Sequence, residues 1–292
     1  MSRILVTGGS GYVGRFIVER FLADGEEVTV FGRSAPPPGF FSKPVGFITG
    51  NLEPGAFSPA RLAGFDAVVH AAFDHLPGRY RGGEGNDPDG FVRRNRDGSI
   101  ALFAAAKQAG VARAAFLSTR AVYGPRTRAT LLTEDMAARP DTLYGRVKLE
   151  AEEALAAMAD AEFTPVVLRV TGVYGPAGPG RRHKWAGLFD DYLAGRKIEP
   201  RAGTEVHGDD VAAAICIALG RAAPALVNVS DLVVDRRDLL AIVQDATGSA
   251  HPLPEPADAA AINAMDCSRL RSLGWTPGGR PLLEQTVRAL LG

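Results

Sequence analysis

A short apolar stretch followed by three evenly spaced glycines opens the chain and is its most constraining feature. Residues 4–6 are apolar, as expected of a strand buried on both faces of a sheet. Gly8, Gly11 and Gly14 follow at every third position, and an apolar helical pattern begins at Phe16. A strand-to-helix turn of this kind needs glycine, because the backbone turns tightly and a phosphate must approach the main chain. The free N–H groups and the positive dipole end of the helix suit a pyrophosphate.

The glycine pattern therefore predicts a dinucleotide-binding turn rather than a glycine-rich turn without a ligand. Strand, turn and helix stand in the order that such a site requires. The predicted cofactor contacts in this turn are Gly8, Ser10, Gly11, Tyr12, Val13 and Gly14.

The tip of the second predicted strand, residues 27–31, bears on the choice of dinucleotide. NAD-binding folds usually place an acidic residue there on the ribose, but here Gly32, Arg33 and Ser34 follow the strand. No carboxylate at this tip repels a 2′-phosphate, and the guanidinium of Arg33 can bind one. The sequence favours NADP(H) over NAD(H). The alternative is that Arg33 only points into solvent.

Predicted strands and helices alternate as far as residue 170. Further strands are predicted at 45–49, 65–72, 113–119 and 164–170, and helices at 95–109 and at 142–160, the latter capped by Asp141. Alternation of this kind implies parallel pairing through right-handed crossovers. The predicted fold class is α/β, with a Rossmann-like doubly wound parallel sheet.

Two regions are predicted from this pattern. Residues 1–170 form an NAD(P)-binding Rossmann domain, to which residues 208–230 return. Residues 171–292 form mainly a smaller substrate-binding lobe over the crevice. Residues 172–180 of this lobe are predicted to be a Gly/Pro-rich loop.

Small and polar residues at strand ends extend the predicted cofactor site. Asn51 and Leu52 follow the third strand, where Asn51 can meet the adenine edge or act as a cap. Ala71 and Ala72 end the fourth strand, and their small side chains let the cofactor ribose approach the main chain. His70 beside them is predicted to be structural rather than catalytic.

The composition indicates which kinds of partner and which cellular compartment to expect. The 292 residues include 33 basic and 33 acidic ones, which does not indicate a nucleic acid or an anionic membrane as a partner. No apolar run approaches the ~20 residues needed to span a bilayer. Two cysteines form no disulfide framework, and the histidines lack metal-ligand spacing. The sequence predicts a cytoplasmic protein without a metal centre.

An irregular segment, residues 74–94, follows the fourth strand and lines the expected crevice. Its four arginines can bind a substrate carboxylate or phosphate, or can be ordinary surface charges. They are Arg79, Arg81, Arg93 and Arg94.

Tyr144 and Lys148 are the first candidates for chemistry. They are four residues apart near the start of a predicted helix, so they share one helical face. A tyrosine with a pKa of ~10 is a poor base at neutral pH, but a nearby ammonium favours the phenolate and lowers that pKa. The same lysine can also bind the cofactor ribose.

Thr119 completes the predicted catalytic set at the end of the fifth strand. A hydroxyl at this edge can donate to a substrate oxygen while Tyr144 exchanges a proton. Ser118 competes for the role, and because side chains alternate along a strand only one of the two can point into the site. We expect Thr119 to be the catalytic residue and Ser118 to contact the cofactor.

Together these motifs resemble the extended short-chain dehydrogenase/reductases, and in particular the NAD-dependent epimerase/dehydratase family. The resemblance runs almost from end to end. It is carried by residues 7–14, Asn95, residues 118–124 and 144–148, Leu168-Arg169, residues 173–176, 206–211 and 273–277. It implies a Thr119, Tyr144 and Lys148 triad, a cofactor contact at Asn95 and hydride transfer between a carbinol carbon and nicotinamide.

Departures from the family pattern disfavour some of the activities that the family includes. Dehydratases of this family carry Asp-Glu after the threonine, whereas Arg120-Ala121 stand here, so a dehydratase is disfavoured. Sugar-nucleotide enzymes usually carry a diphosphate-binding arginine in the segment that corresponds to residues 202–205. Arg201 is the only nearby candidate, and Gly172 stands where the preceding loop usually has an asparagine. These departures argue against a binding site for a nucleotide diphosphate.

The sequence thus predicts an NAD(P)-dependent oxidoreductase or epimerase that acts on a carbinol or ketone carbon of a sugar or sugar-like small molecule. Epimerase and net reductase remain open. The alternative is a non-catalytic NADP(H)-binding sensor or regulatory protein of the same fold. A homodimer through helices 95–109 and 142–160 is also expected from the resemblance.

Overall fold

The computed structural model describes residues 1–76, 82–223 and 225–292. The strands in these ranges are β1 (Arg3–Thr7), β2 (Glu27–Gly32), β3 (Gly46–Thr49), β4 (Ala67–His70), β5 (Arg113–Thr119), β6 (Thr164–Val170), β7 (Gly172–Tyr174), β8 (Ala202–His207), β9 (Ala225–Val229) and β10 (Leu232–Asp235). The helices are α1 (Tyr12–Ala23), α2 (Pro59–Leu62), α3 (Pro88–Val92), α4 (Gly98–Gln108), α5 (Leu143–Ala157), α6 (Ala186–Leu193), α7 (Gly208–Leu219), α8 (Arg236–Thr247), α9 (Ser268–Ser272) and α10 (Gly279–Leu290).

A seven-stranded parallel sheet forms the centre of the molecule. Its strand order is β3-β2-β1-β4-β5-β6-β9, so the order reverses between β1 and β4, at the point where open α/β sheets bind ligands. The predicted α/β fold class with a Rossmann-like sheet is confirmed. The seventh strand comes from beyond residue 170, where β9 pairs with β6 and Val227 lies opposite Leu168. The proposed division into two domains at residue 170 stays a prediction.

Alternate strand residues face opposite layers of helices. Val6 packs in a cluster with α1 and α7 side chains such as Ile17 and Ile215. Leu5, one residue earlier, packs in a cluster with α4 and α5 side chains such as Phe103. Side chains alternate along a strand, so a sheet covered on both faces requires strands that are apolar throughout. The continuous apolar run at residues 4–6 therefore correctly indicated a strand that is covered on both faces.

A second, three-stranded sheet with the order β10-β8-β7 lies within residues 171–292, the region that is called the lobe below. The prediction that residues 172–180 form a loop is wrong for residues 172–174, because Val173 pairs in parallel with Val206 of β8. Tyr174 at the end of this strand is fully buried and stacks on Trp185, with the ring centroids 5.0 Å apart. Pairing with β8 and burial of Tyr174 favour the strand over a loop.

Helix boundaries differ from the prediction at two places. Thr142, not Asp141, caps α5, because its Oγ1 accepts a hydrogen bond from Gly145 N at 3.0 Å. The predicted helix 95–109 begins instead with a wider π-helical turn, Arg93–Asp97, before α4. No helix within the described ranges is both long and apolar enough to cross a bilayer.

Candidate active site

A large cleft opens at the carboxyl ends of the parallel strands. Its volume is about 1350 Å³, and it runs from the glycine turn after β1, past the ends of β4 and β5, to the lobe. Every residue predicted as a cofactor or catalytic contact lines this cleft, with the exception of Asn95. The fold therefore brings together predicted residues from six separate parts of the sequence.

The glycine turn leaves its backbone open to the cleft. Gly8 has a φ of +70°, and a Cβ at this position would lie 2.7 Å from Cα of Ala72. A side chain at Gly14 would overlap the carbonyl oxygen of Gly8, so close packing of α1 against the turn requires glycine. The N-terminus of α1 consequently faces the cleft with little side-chain cover. This arrangement fits the pyrophosphate of a dinucleotide.

The expected adenosine end of the cleft carries Arg33, Asn51 and Leu52. The Arg33 side chain is 81% exposed, and its Nη1 lies 3.7 Å from Oδ1 of Asp74. Asn51 is exposed, and its Oδ1 accepts a hydrogen bond from Glu53 N at 3.0 Å. The Asn51 side chain therefore holds the backbone just after β3 and also lines the cleft, and its contact with the adenine stays a prediction.

Asn95 is buried behind the cleft wall instead of lining it. Its Oδ1 accepts from Asp74 N at 2.7 Å, and its Nδ2 donates to Asp74 O at 2.8 Å and to Phe91 O at 3.0 Å. The amide thus fixes the loop after β4, and Asp74 of this loop does line the cleft. A direct cofactor contact at Asn95 stays a prediction without support from this geometry.

The arginines of the segment after β4 have different partners. Arg93 Nε lies 2.8 Å from the Glu53 carboxylate, and Arg94 Nε lies 2.6 Å from that of Asp74. Arg94 also lines the cleft. Arg79 and Arg81 lie outside the described residues.

Lys148 is the most deeply buried charged group of the candidate site. Its residue is 4% exposed, and its Nζ donates to the carbonyl oxygen of Leu117 at 2.6 Å. The Nζ also lies 4.6 Å from the ring centre of Phe73 and 4.5 Å from that of Phe116. Burial lowers the pKa of Lys148 to about 7, and Glu152 opposes this change. Lys148 can therefore change its charge near neutral pH.

Tyr144 lies one helical turn before Lys148 and also lines the cleft. Its ring packs edge-on against Phe73, with the centroids 5.0 Å apart. Phe73 thus contacts both Tyr144 and Lys148. The predicted sharing of one helical face is observed.

Ser118 and Thr119 use their hydroxyl groups differently. Ser118 Oγ donates to the buried carboxylate of Glu152. Thr119 Oγ1 accepts from Ala121 N at 3.1 Å, which leaves the hydroxyl proton of Thr119 available to a ligand in the cleft. Both residues line the cleft, but only Thr119 has its donor free of that internal carboxylate.

A buried ion pair that the sequence analysis did not single out lies below these groups. Arg169 Nη2 is 2.8 Å from Oε2 of Glu152, and both side chains are 6% exposed. Glu152 follows Lys148 by four residues, so the spacing that paired Tyr144 with Lys148 also indicates Glu152. The pair anchors α5 to β6 directly beneath the candidate catalytic residues.

The lobe end of the cleft carries charges that the sequence left mostly unassigned. Lys184 forms an ion pair with Glu205, and both side chains are largely buried. Arg201 and Arg236 also line the cleft, and Arg236 N donates to Arg201 O at 2.9 Å. Arg201 was expected to be the only nearby cation. Arg236 joins it because β10 pairs antiparallel with β8, which no local pattern reveals.

Comparison with known proteins identifies relatives over the full length of the chain. Residues 4–230 match the model of the NAD dependent epimerase/dehydratase family. The chain is 30% identical to dTDP-6-deoxy-L-talose 4-dehydrogenase (NAD(P)(+)) of Kitasatospora kifunensis, over 99% of this chain and 94% of the relative. It is 28% identical to UDP-glucose 4-epimerase of Streptomyces lividans, over 94% and 91% of the two chains. The solved structure of MoeE5 in complex with UDP-glucose and NAD has a TM-score of 0.80 at 26% identity, covering 99% and 98%.

These comparisons confirm the family and enzyme class that the motifs indicated. The relatives are epimerases and dehydrogenases, which supports a catalyst over a non-catalytic sensor. NAD(P) binding is supported by the family match and by the glycine turn. The chain belongs to the NAD-dependent epimerase/dehydratase family and is an NAD(P)-dependent enzyme of the extended short-chain dehydrogenase/reductase type.

Proposed function

We propose that this enzyme uses Thr119, Tyr144 and Lys148 to interconvert a carbinol and a ketone in a sugar or sugar-like substrate. The observation that carries the proposal is the convergence of these three residues on the cleft that the glycine turn also lines. The bound nicotinamide supplies or accepts the hydride.

Each side chain has a distinct part in this reaction. The Thr119 hydroxyl donates a hydrogen bond to the substrate oxygen, and Tyr144 exchanges the proton of that oxygen. The Lys148 ammonium stabilises the phenolate form of the tyrosine. Since burial lowers the pKa of Lys148 to about 7, this support is strongest below pH 7 in the empty enzyme and declines as the pH rises.

Replacement of Tyr144 by Phe tests the assignment. We expect turnover to fall by roughly 10²–10⁴-fold, because the proton-transferring group is lost while the ring and its packing on Phe73 remain. The dissociation constants of NADH and NADPH should stay close to those of the unchanged enzyme. Turnover is measured on a panel of sugar nucleotides, free sugars and small ketones.

Tyr192→Phe is the matched control. Tyr192 is buried in the lobe and does not line the cleft, and its hydroxyl donates to His251 O at 2.9 Å. This variant should keep its activity. Equal activity of Tyr144→Phe and the unchanged enzyme would remove Tyr144 from the mechanism.

We also propose that NADPH binds more tightly than NADH. Support comes from Arg33, whose guanidinium lines the cleft at the tip of β2. Asp74 lies 3.7 Å from that guanidinium, so a 2′-phosphate must compete with this carboxylate. Arg33 is largely exposed, and its pairing with Asp74 is accordingly weak.

Arg33→Ala should weaken NADPH binding by roughly tenfold, the value of one charge-assisted hydrogen bond. NADH has no 2′-phosphate, so its dissociation constant serves as the internal control and should not change. Fluorescence titration of the two reduced nucleotides measures both. Parallel weakening of NADH, or tighter NADH binding by the unchanged enzyme, would contradict the preference.

The substrate side of the cleft suits an anionic sugar derivative. The relatives named above act on dTDP- and UDP-linked sugars, and Arg201 and Arg236 can bind a diphosphate here from positions other than the usual one. The partly buried Lys184–Glu205 pair also lines the cleft and can hydrogen-bond sugar hydroxyls. A sugar nucleotide is therefore the first substrate class to test.

The nucleotide released on denaturation separates the two reaction types. Near-stoichiometric NAD that survives purification indicates an epimerase that recycles a bound cofactor. An empty protein that prefers NADPH indicates a reductase whose cofactor dissociates after each turnover.

A further inference from the structure

An arginine of the lobe reaches across the cleft to the glycine turn. Arg181 Nη1 donates to the carbonyl oxygen of Ser10 at 2.6 Å, although 171 residues separate the two in sequence. Ser10 lies within the turn that faces the expected pyrophosphate, and both residues line the cleft. Neither the glycine motif nor the family pattern above includes Arg181.

Several contacts hold this arginine in place. Its guanidinium lies over the ring of Phe40, 5.2 Å from the ring centre, and Phe40 is buried. Tyr12 at the start of α1 donates its hydroxyl to Gly175 O at 2.6 Å, so the segment before Arg181 is tied to the same turn. A Cβ at Gly178 would lie 2.9 Å from the Phe40 ring, which shows how closely this segment approaches.

The charge of Arg181 is not neutralised by a neighbouring carboxylate. Among the residues that the structure describes, none of its nitrogens lies within 4 Å of an acidic oxygen, whereas the adjacent Arg182 pairs with Asp190. A guanidinium has five N–H donors, and Ser10 takes one of them. The remaining donors stand at the N-terminal end of α1, where the helix dipole already favours negative charge.

We propose that Arg181 binds the pyrophosphate of NAD(P) from the lobe side of the cleft. The glycine turn supplies backbone N–H groups from one side, and Arg181 adds a charged side-chain donor from the other. The lobe thereby takes part in cofactor retention as well as in substrate binding. This role requires only that the enzyme binds NAD(P), and it is independent of the reaction and substrate proposed above.

Nucleotide titrations of Arg181→Ala and Arg182→Ala test the proposal. We expect Arg181→Ala to raise the dissociation constants of NADH and NADPH by the same factor, roughly tenfold or more, because both carry the pyrophosphate. Arg182→Ala removes an equal charge at the next position, which is paired with Asp190 and does not line the cleft. Its dissociation constants should stay within about twofold of the unchanged enzyme.

The melting temperature of the empty protein separates binding from folding. If Arg181→Ala lowers it, Arg181→Gln provides the test instead, because glutamine keeps most of the aliphatic stem and removes the charge. Unchanged dissociation constants in a folded variant would overturn the proposal. Weakening confined to NADPH would also overturn it, since that result assigns Arg181 to the 2′-phosphate.

Discussion

Two buried basic side chains contact the ring of Phe116 beneath the site. Lys148 Nζ lies over the Phe116 ring, and the His70 ring stacks on it with the centroids 5.5 Å apart. His70 Nδ1 lies 2.6 Å from the Thr7 hydroxyl and Nε2 lies 2.8 Å from that of Ser99. Burial and the Lys148 charge lower the pKa of His70 to about 3. His70 is therefore a neutral structural group, the role that its position at a strand end indicated.

His70→Gln is expected to reduce the loss of stability in acid. Between pH 6.5 and about 3 the unfolded chain protonates His70 and the folded chain does not, so the free energy of unfolding falls as the pH falls. One such proton contributes up to about 1.4 kcal/mol per pH unit. Urea titrations at pH 7, 6 and 5 measure the slope. An unchanged slope in the variant would show that other groups cause it.

Tyr144, Lys148 and Glu152 are arranged by one element, the helix α5. Their spacing of four residues places them on one face, and Glu152 fixes that face through Ser118 and Arg169. The helix begins at the Thr142 cap, only two residues before Tyr144. The start of α5 consequently sets the position of the candidate proton donor.

Thr142→Ala should lower the free energy of unfolding by ~1 kcal/mol, because Gly145 N loses its side-chain acceptor. Thr142→Ser keeps the acceptor oxygen and should retain most of the stability. Urea unfolding of the two variants gives the comparison. Equal losses in both would indicate that the threonine methyl group, and not the cap, is responsible.

Elements with a strong local signal were predicted well, and those that depend on partners were not. The apolar strands β1, β2, β5 and β6 lie where the sequence indicated them. β8 and β10 were not predicted. β8 contains few apolar residues and β10 has only four residues, and each is stabilised by pairing with the other.

We expect two copies of the chain to form a homodimer through α4 and α5. These helices contact each other within the chain, where Lys107 Nζ donates to Met158 O at 2.7 Å. Light scattering across a range of concentrations should give a mass near twice 30.8 kDa. A mass of 30.8 kDa at every concentration would contradict the expectation.

The sequence by itself determined the fold class, the glycine turn and the spacing of Tyr144 and Lys148. These features depend on neighbours within a few residues, such as glycine at the turn and the helical repeat, so a local pattern is sufficient to reveal them. The position of Thr119 at the cleft was also predictable in this way, because it ends a strongly apolar strand.

Only the tertiary structure decided which other side chains share the cleft. Asn95 lies behind the cleft wall, where it hydrogen-bonds Asp74. Arg236 lies beside Arg201 because their strands pair, and Arg181 donates to Ser10 although the two are distant in sequence. Such contacts are set by packing between distant segments, and single residues there carry no periodic signal. The glycine turn and the shared face of Tyr144 and Lys148 were therefore predictable from the sequence, whereas the set of charged side chains around the cleft was decided by the fold.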